Sequence, residues 1–325
     1  MKNILLSHEL YQPGMKALEG KAKVCVTNNG DSNAILGQLK EADGFILRIG
    51  KIDRKAIEAC ERLKVITRPG VGVDNVDVAA ATKQGIPVVI CPSSNARAVA
   101  EHALTLLLSI SKNIVESDTE TRKGNFSVRN QYKAVDIQGK TVSILGFGNI
   151  GKELARMCHG IGMEVLVYDP FVTGDAVTAM GYSYSADLLE AIAAGDYISL
   201  HMPSTPETQG MIGTEQFAAM KSTAYLLNCA RGDIVDEDAL VEALEKRIIA
   251  GAGLDVLIEE PMKAEHPLMQ LSNCIITPHM AAQTQETTEK IVLMAVEGTL
   301  AVLNGEKWPH VCNPEVYDHP KWKGR

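Results

Sequence analysis

The 325-residue chain carries 32 Lys and Arg against 40 Asp and Glu, a formal net charge of −8, with 46% hydrophobic and 22% charged residues. This is a globular composition, long enough for about two domains. Without a basic block it excludes a nucleic-acid or membrane-surface binder. No apolar run approaches the ~18 residues of a transmembrane helix; the densest, Ala103 to Ile110, is broken by Thr105 and Ser109. The opening Met1-Lys2-Asn3-Ile4-Leu5-Leu6 is too short in apolar residues for a signal peptide and reads as a first strand. Cys25, Cys60, Cys91, Cys158, Cys229, Cys274 and Cys312 are scattered and never spaced C-x-x-C. That pattern predicts reduced thiols in a cytoplasmic protein, not disulfides or a zinc site.

In chain order, short apolar runs alternate with helical stretches. The first series of strands is predicted at Ile4–Leu6, Lys23–Val26, Gly44–Leu47, Lys64–Thr67 and Pro87–Ile90. Helices between them are predicted over Asp31–Glu41 and Asp53–Arg62, each opening on an Asp suited to an N-cap. Next comes Asn95–Ile114, whose apolar stripe is too wide for a surface helix and predicts burial between domains or against another subunit. Residues 124–139 are polar and read as a surface connection. A second series follows at Thr141–Leu145, Glu164–Tyr168, Tyr197–Leu200, Ala224–Asn228, Gly253–Val256 and Cys274–Thr277. The fold class is therefore α/β, with two doubly wound parallel sheets, the second of about six strands. The helix around Gln285–Leu303 and the tail are then expected to pack on the first unit.

Gly146-Phe147-Gly148-Asn149-Ile150-Gly151 follows a strand and opens a helix, so this G-x-G-x-x-G reads as a dinucleotide site. Gly146 permits the tight turn, Gly148 lets backbone approach a pyrophosphate, and Gly151 lets helix and strand pack closely. Asp169 ends the next strand 23 residues after Gly146, near the ~20 expected for the acid on the adenosine ribose. Pro170-Phe171-Val172-Thr173 offers no Arg or Lys for a 2′-phosphate, so NAD is favoured over NADP.

Three later segments carry the reacting groups. Arg231 follows the strand ending at Asn228, Glu259 and Glu260 follow Gly253–Val256, and His279 follows Cys274–Thr277. An Arg offers a planar fork for carboxylate or carbonyl oxygen. A His supplies a proton near neutral pH, and a carboxylate behind it favours the protonated ring. Together they suit reduction of a 2-keto acid.

With Arg68-Pro69-Gly70-Val71-Gly72-Val73-Asp74-Asn75-Val76-Asp77, Val99-Ala100-Glu101-His102-Ala103-Leu104, His201-Met202-Pro203, Asn228-Cys229-Ala230-Arg231-Gly232, Leu254-Asp255-Val256, Glu260-Pro261 and Pro278-His279, the chain resembles the D-isomer-specific 2-hydroxy acid dehydrogenases over nearly its whole length. The resemblance implies a Rossmann NAD-binding domain, residues 97–289, inserted into a flavodoxin-like substrate domain, residues 1–96 and 290–325. It implies Arg231 as substrate anchor, Glu260 as partner of His279, and His279 as the acid/base. Cofactor contacts are implied at Gly146, Gly148, Asn149, Ile150, Gly151, Asp169, Met202, Pro203, Cys229, Ala230, Arg231, Asp255 (toward the nicotinamide amide) and His279. Substrate contacts are implied at Arg48, Arg68, the Val71-Gly72 amides, Asn95, Arg231 and His279.

The nearest branch looks like phosphoglycerate dehydrogenase or hydroxypyruvate reductase, with glyoxylate and lactate types as further substrate readings. Met280-Ala281-Ala282-Gln283-Thr284 and Ile49-Gly50 depart from the phosphoglycerate pattern, and no regulatory domain is expected after Arg325. His102, on the apolar helix, reads as a structural histidine, and Cys229 reads as lining. His8, His159, His266, His310 and His319 make no ligand spacing, so no metal is expected. The expected partners are a small 2-keto or 2-hydroxy acid and a second copy of the chain as a homodimer. The alternative function is an NAD-sensing binding protein of the corepressor type that shares this fold.

Overall fold

The computed structural model describes residues 1–92 and 94–323. Residues 324–325, the end of the expected return segment, lie outside the described residues. The chain divides into two compact units, Met1–Asn95 with Gln283–Arg325, and Ala96–Ala282.

The first unit runs β1 (Lys2–Leu6), α1 (Gln12–Leu18), β2 (Ala22–Val26), α2 (Leu36–Lys40), β3 (Gly44–Ile46), α3 (Arg54–Glu58), β4 (Val65–Thr67), α4 (Val78–Lys83) and β5 (Val88–Val89). Its five strands are all parallel in the order β2-β1-β3-β4-β5, the flavodoxin-like order. Both faces are covered, so the strands read as continuous apolar runs. Leu5, Phe45, Ile66 and Val88 enter one core, and their neighbours Ile4, Ile46, Val65 and Val89 enter the other. That second core is closed by the last helix (Gln285–Leu303, α12 in chain order), through Val292, Val296, Val302 and Leu303. A buried 2.6 Å hydrogen bond joins Thr67 to Thr299. Because Thr284 caps one continuous 19-residue helix, the chain returns to this unit at Gln283, ahead of the expected 290.

Local signals set some starts and not others. Asp53 and Asp77 cap α3 and α4, accepting from Ala56 and Ala80 amides. Asp31, expected as a cap, instead bonds the Asn33 amide while its backbone bridges Lys51. α2 therefore starts only at Leu36.

The second unit runs α5 (Ala96–Ser111), α6 (Ile114–Arg122), β6 (Thr141–Leu145), α7 (Asn149–Gly160), β7 (Glu164–Tyr168), α8 (Gly174–Thr178), β8 (Ser183–Tyr184), α9 (Leu188–Ala194), β9 (Tyr197–Leu200), α10 (Thr214–Ala219), β10 (Tyr225–Asn228), α11 (Glu237–Glu245), β11 (Gly251–Leu254) and β12 (Cys274–Ile276). Seven parallel strands stand in the order β12-β11-β10-β9-β6-β7-β8. The extra strand, β8, has two residues, too few to show a period in sequence.

Sequence reasoning placed the apolar stripe of α5 between domains or subunits. In the structure Ala100, Ala103, Leu106 and Leu107 are buried in a core with α7 and the β6 strand of the same unit. Fully buried leucines such as these contribute about 1.5–3 kcal/mol each. The helix bends by 61° into α6, a polar helix with no buried residue that periodicity did not reveal. Exposed apolar groups sit beyond α5, at Ile114, Val115, Phe126 and Tyr132. Among the described residues, no single helix is long and apolar enough to cross a membrane.

Candidate active site

Open parallel sheets bind ligands beyond their strands' carboxyl ends, where strand order reverses. In the second unit that reversal lies at β6, which pairs with both β7 and β9. The glycine loop leaves β6 here. Gly146 has φ +97°, and a Cβ on it would lie 2.8 Å from the His201 carbonyl carbon. A Cβ on Gly151 would lie 2.2 Å from the Gly146 carbonyl oxygen, so α7 crosses β6 closely only because both are glycine. Around Gly148 nothing lies within 4 Å of such a Cβ, and no side chain caps α7 there. The open space thus meets the positive end of a 12-residue helix. Asp169 ends β7 and ties back to this loop, accepting from the Phe147 amide at 2.7 Å and the Phe171 amide at 2.8 Å.

Beyond β9, His201 is enclosed; burial holds its ring neutral, with a pKa of about 4. Met202 and Pro203 follow it. Beyond β10, the buried Asn228 side chain staples the turn, bonding the Ala230 amide and the Arg231 carbonyl. The Arg231 guanidinium donates to the Ala230 carbonyl at 2.7 Å and is half-buried. Burial, with the Asp255 carboxylate nearby, raises the Cys229 thiol far above neutral pH, so it is no nucleophile.

The loops after β11 and β12 bring a carboxylate and an imidazole together. Glu260 Oε2 lies 2.7 Å from His279 Nδ1. Its rival, Glu259, is instead paired with Lys263. Glu237 holds the Glu260 loop by accepting from the Ile258 amide and pairing with His266. His279 sits at φ +50°, a left-handed conformation that disfavours a side chain. Asp255, fully buried, accepts from Thr277 Oγ1, the Met280 amide and the Ala281 amide at 2.6–2.9 Å, and its carbonyl accepts from the His279 amide. Burial alone would raise its pKa; hydrogen bonds from His102, Thr277, Met280 and Ala281 outweigh that and lower it, so it is ionised.

In the first unit, Arg48 follows β3, donating to the Glu9 carbonyl at 3.1 Å. It lines a cavity of about 430 Å³ with Glu9, Tyr11, Thr284 and Thr288. Arg68 follows β4 and donates to the Pro69 carbonyl at 2.9 Å. Gly70 has φ +155° and lies against that guanidinium. Val71 is exposed; Gly72 and Asn95 are half-exposed. Asp77 pairs with Arg54 and caps α4.

Residues 104–281 match the family model described as D-isomer specific 2-hydroxyacid dehydrogenase, NAD binding domain. The D-3-phosphoglycerate dehydrogenase of Methanocaldococcus jannaschii is 39% identical over 96% of this chain and 60% of its own length. The glyoxylate reductase of Korarchaeum cryptofilum is 34% identical over 96% of each chain. A crystal structure from Thermus thermophilus superposes with a TM-score of 0.89 at 34% identity, over 95% of this chain and 99% of that one. The chain belongs to the D-isomer-specific 2-hydroxyacid dehydrogenase family. It spans about half to three-fifths of the length of the curated phosphoglycerate dehydrogenases it matches.

Its cofactor as a member of this family is NAD, and the residues fit the dinucleotide. The uncapped helix and the space at Gly148 suit the pyrophosphate. Asp169, a carboxylate fixed at the end of β7 and with lone pairs to spare, suits the ribose hydroxyls. The site also contains residues that sequence reasoning missed. A Cβ on Gly232 would lie 2.1 Å from the Leu257 carbonyl carbon, so this glycine seats the Arg231 turn against the Glu260 loop. Asn228 was only part of a motif, and Glu237 was not considered. Their contacts span 2 to 29 residues and follow no helix or strand period. Asp255, expected at the nicotinamide, anchors the His279 loop.

Proposed function

We propose that this chain is an NAD-dependent oxidoreductase that interconverts a small D-2-hydroxy acid and its 2-keto acid. The observation that carries the reading is the His279–Glu260 pair at 2.7 Å, beyond the carboxyl end of an NAD-binding sheet. When bound, NAD supplies or accepts the hydride. His279 handles the proton: with Nδ1 held by Glu260, Nε2 is the atom left to give it to the developing alkoxide or take it back. The carboxylate fixes the orientation of the ring. Arg231 orients the substrate through its fork, held by the Ala230 carbonyl.

Met1–Asn95 with Gln283–Arg325 serves as the substrate domain in this reading, and Ala96–Ala282 as the NAD-binding domain. Arg48, Arg68, Asn95 and the amides of Val71 and Gly72 contribute to holding the acid. Gly146, Gly148, Asn149, Ile150, Gly151, Asp169, Met202, Pro203, Cys229, Ala230 and Asp255 line the cofactor. The dehydrogenase and reductase names of the relatives favour an enzyme over a corepressor-type NAD sensor. The test is a panel of 2-keto acids with NADH: oxidation of NADH by at least one of 3-phosphohydroxypyruvate, hydroxypyruvate, glyoxylate or pyruvate is expected. NADH binding without turnover of any of them would favour the sensor.

The protein is read as cytoplasmic and as a homodimer. Ile114, Val115, Phe126 and Tyr132 expose apolar surface along one short stretch of chain, which suits burial against a second copy. Light scattering at micromolar concentration should give a mass near 70 kDa, twice the 35.1 kDa of the chain. Phe126→Asp with Tyr132→Asp should shift it toward the monomer. A monomeric mass for the unaltered protein would reject the dimer.

A further inference from the structure

His102 is the one buried-face histidine of α5, and the packing of that helix puts it at a defined place. Gly251 and Gly253 on β11 leave room for Ile110 and Leu106; a Cβ on either glycine would lie about 3 Å from them (3.1 and 3.0 Å). Helix residues four apart and strand residues two apart advance by nearly the same distance. Continuing the match of Ile110 with Gly251 and Leu106 with Gly253 brings His102 level with Asp255. Its Nε2 is 3.4 Å from Asp255 Oδ1 and 2.9 Å from Thr277 Oγ1.

Hydrogen-bond counting fixes the direction of this chain. A hydroxyl has one proton to give, and Thr277 gives its proton to Asp255 Oδ1 at 2.6 Å. Thr277 Oγ1 can then only accept from His102, so Nε2 carries the proton. The Asp255 carboxylate in turn accepts from the amides of Met280 and Ala281, the two residues that follow His279. The left-handed His279 backbone, disfavoured for an L residue, persists because this network fixes the residues that follow it.

We propose that His102 is a positioning residue: through Thr277 and Asp255 it holds the 277–281 loop in the conformation that presents His279 to Glu260. The proposal rests on the acid/base reading of His279. No other described role occupies the His102 ring, whose side chain is 16% exposed.

The test combines exchange with kinetics in the full-length protein. His102→Leu and Thr277→Val should each speed amide exchange at Met280 and Ala281 by about tenfold or more. Each should lower kcat by about 10- to 100-fold, the scale of a small misplacement of a reacting group. KM and the NADH dissociation constant should stay within about twofold. His102→Gln, which keeps a donor at nearly the same reach, should recover most of kcat. The double variant should be no worse than the poorer single, since both cut one chain of bonds. Unchanged exchange at Met280 and Ala281 overturns the proposal, as do additive losses, an equal loss of NADH affinity, or failure of His102→Gln to rescue. Should His102→Leu not fold, Thr277→Val and His102→Gln decide it. A His279→Ala control that keeps full turnover would sink the acid/base reading, and the exchange result would still judge the network by itself.

Discussion

Replacing His279 by Ala should lower kcat for keto-acid reduction by about 10²–10⁴, the range for losing general acid/base catalysis. The affinity for NADH, followed by its fluorescence, should change little, because the glycine loop and Asp169 that suit the dinucleotide lie on other strands. An equal loss of cofactor affinity would make His279 structural. Glu260→Gln should cost less, since the ring itself remains. Its signature is a fall in kcat at unchanged NADH affinity, because the carboxylate 2.7 Å from Nδ1 fixes the orientation of the ring. A kcat identical to that of the unaltered protein would remove Glu260 from the role. Glu259 could not replace it without giving up Lys263.

The second large effect concerns phosphate. Two guanidinium forks suit a dianion, and Arg48 and Arg68 both follow strands of the first sheet at their carboxyl ends. Arg48 lines the cavity of about 430 Å³, where Thr284 and Thr288 add hydroxyls. The loop that carries Arg48 is fixed by a close crossing: a Cβ on Gly50 would lie 2.2 Å from the Gly30 carbonyl oxygen. No side chain fits at Gly50, and Ile49, exposed beside Arg48, offers no hydroxyl. If the arginines hold phosphate, kcat/KM should favour 3-phosphohydroxypyruvate over hydroxypyruvate. Arg48→Ala should then erase the preference, at about 1.5–3 kcal/mol for a charged hydrogen bond. Equal or better reduction of hydroxypyruvate, glyoxylate or pyruvate would make Arg48 structural, through its bond to the Glu9 carbonyl.

Much of this protein was legible in one dimension. Strands buried on both faces must be continuously apolar, and helices between them force parallel neighbours, so both doubly wound sheets could be read from residue types. The exact agreement at Thr141–Leu145, Glu164–Tyr168 and Tyr197–Leu200 reflects that constraint. The glycine loop was legible too, because steric demands at Gly146 and Gly151 admit one residue type. Arg231, Glu260 and His279 could be named because strand ends deliver side chains to one edge.

Other features depended on contacts between distant residues, which have no period to betray them. A wide apolar stripe states that α5 is buried but not against what; Gly251 and Gly253, some 150 residues later, supply the seat within its own unit. Asp31 satisfies every local rule for a cap, yet pairing with Lys51 competes for its backbone and α2 starts five residues on. Sequence by itself determined which groups are equipped for the proposed chemistry, since charge, proton affinity and backbone freedom belong to residue types. The resemblance already named Glu260 over Glu259 as the partner of His279, and their 2.7 Å contact agrees with it; only the tertiary structure decided that Asp255, Thr277 and His102 stand behind the His279 loop. Hydrogen-bond partners are chosen by distances of a few ångströms, and those distances exist only once the chain has closed.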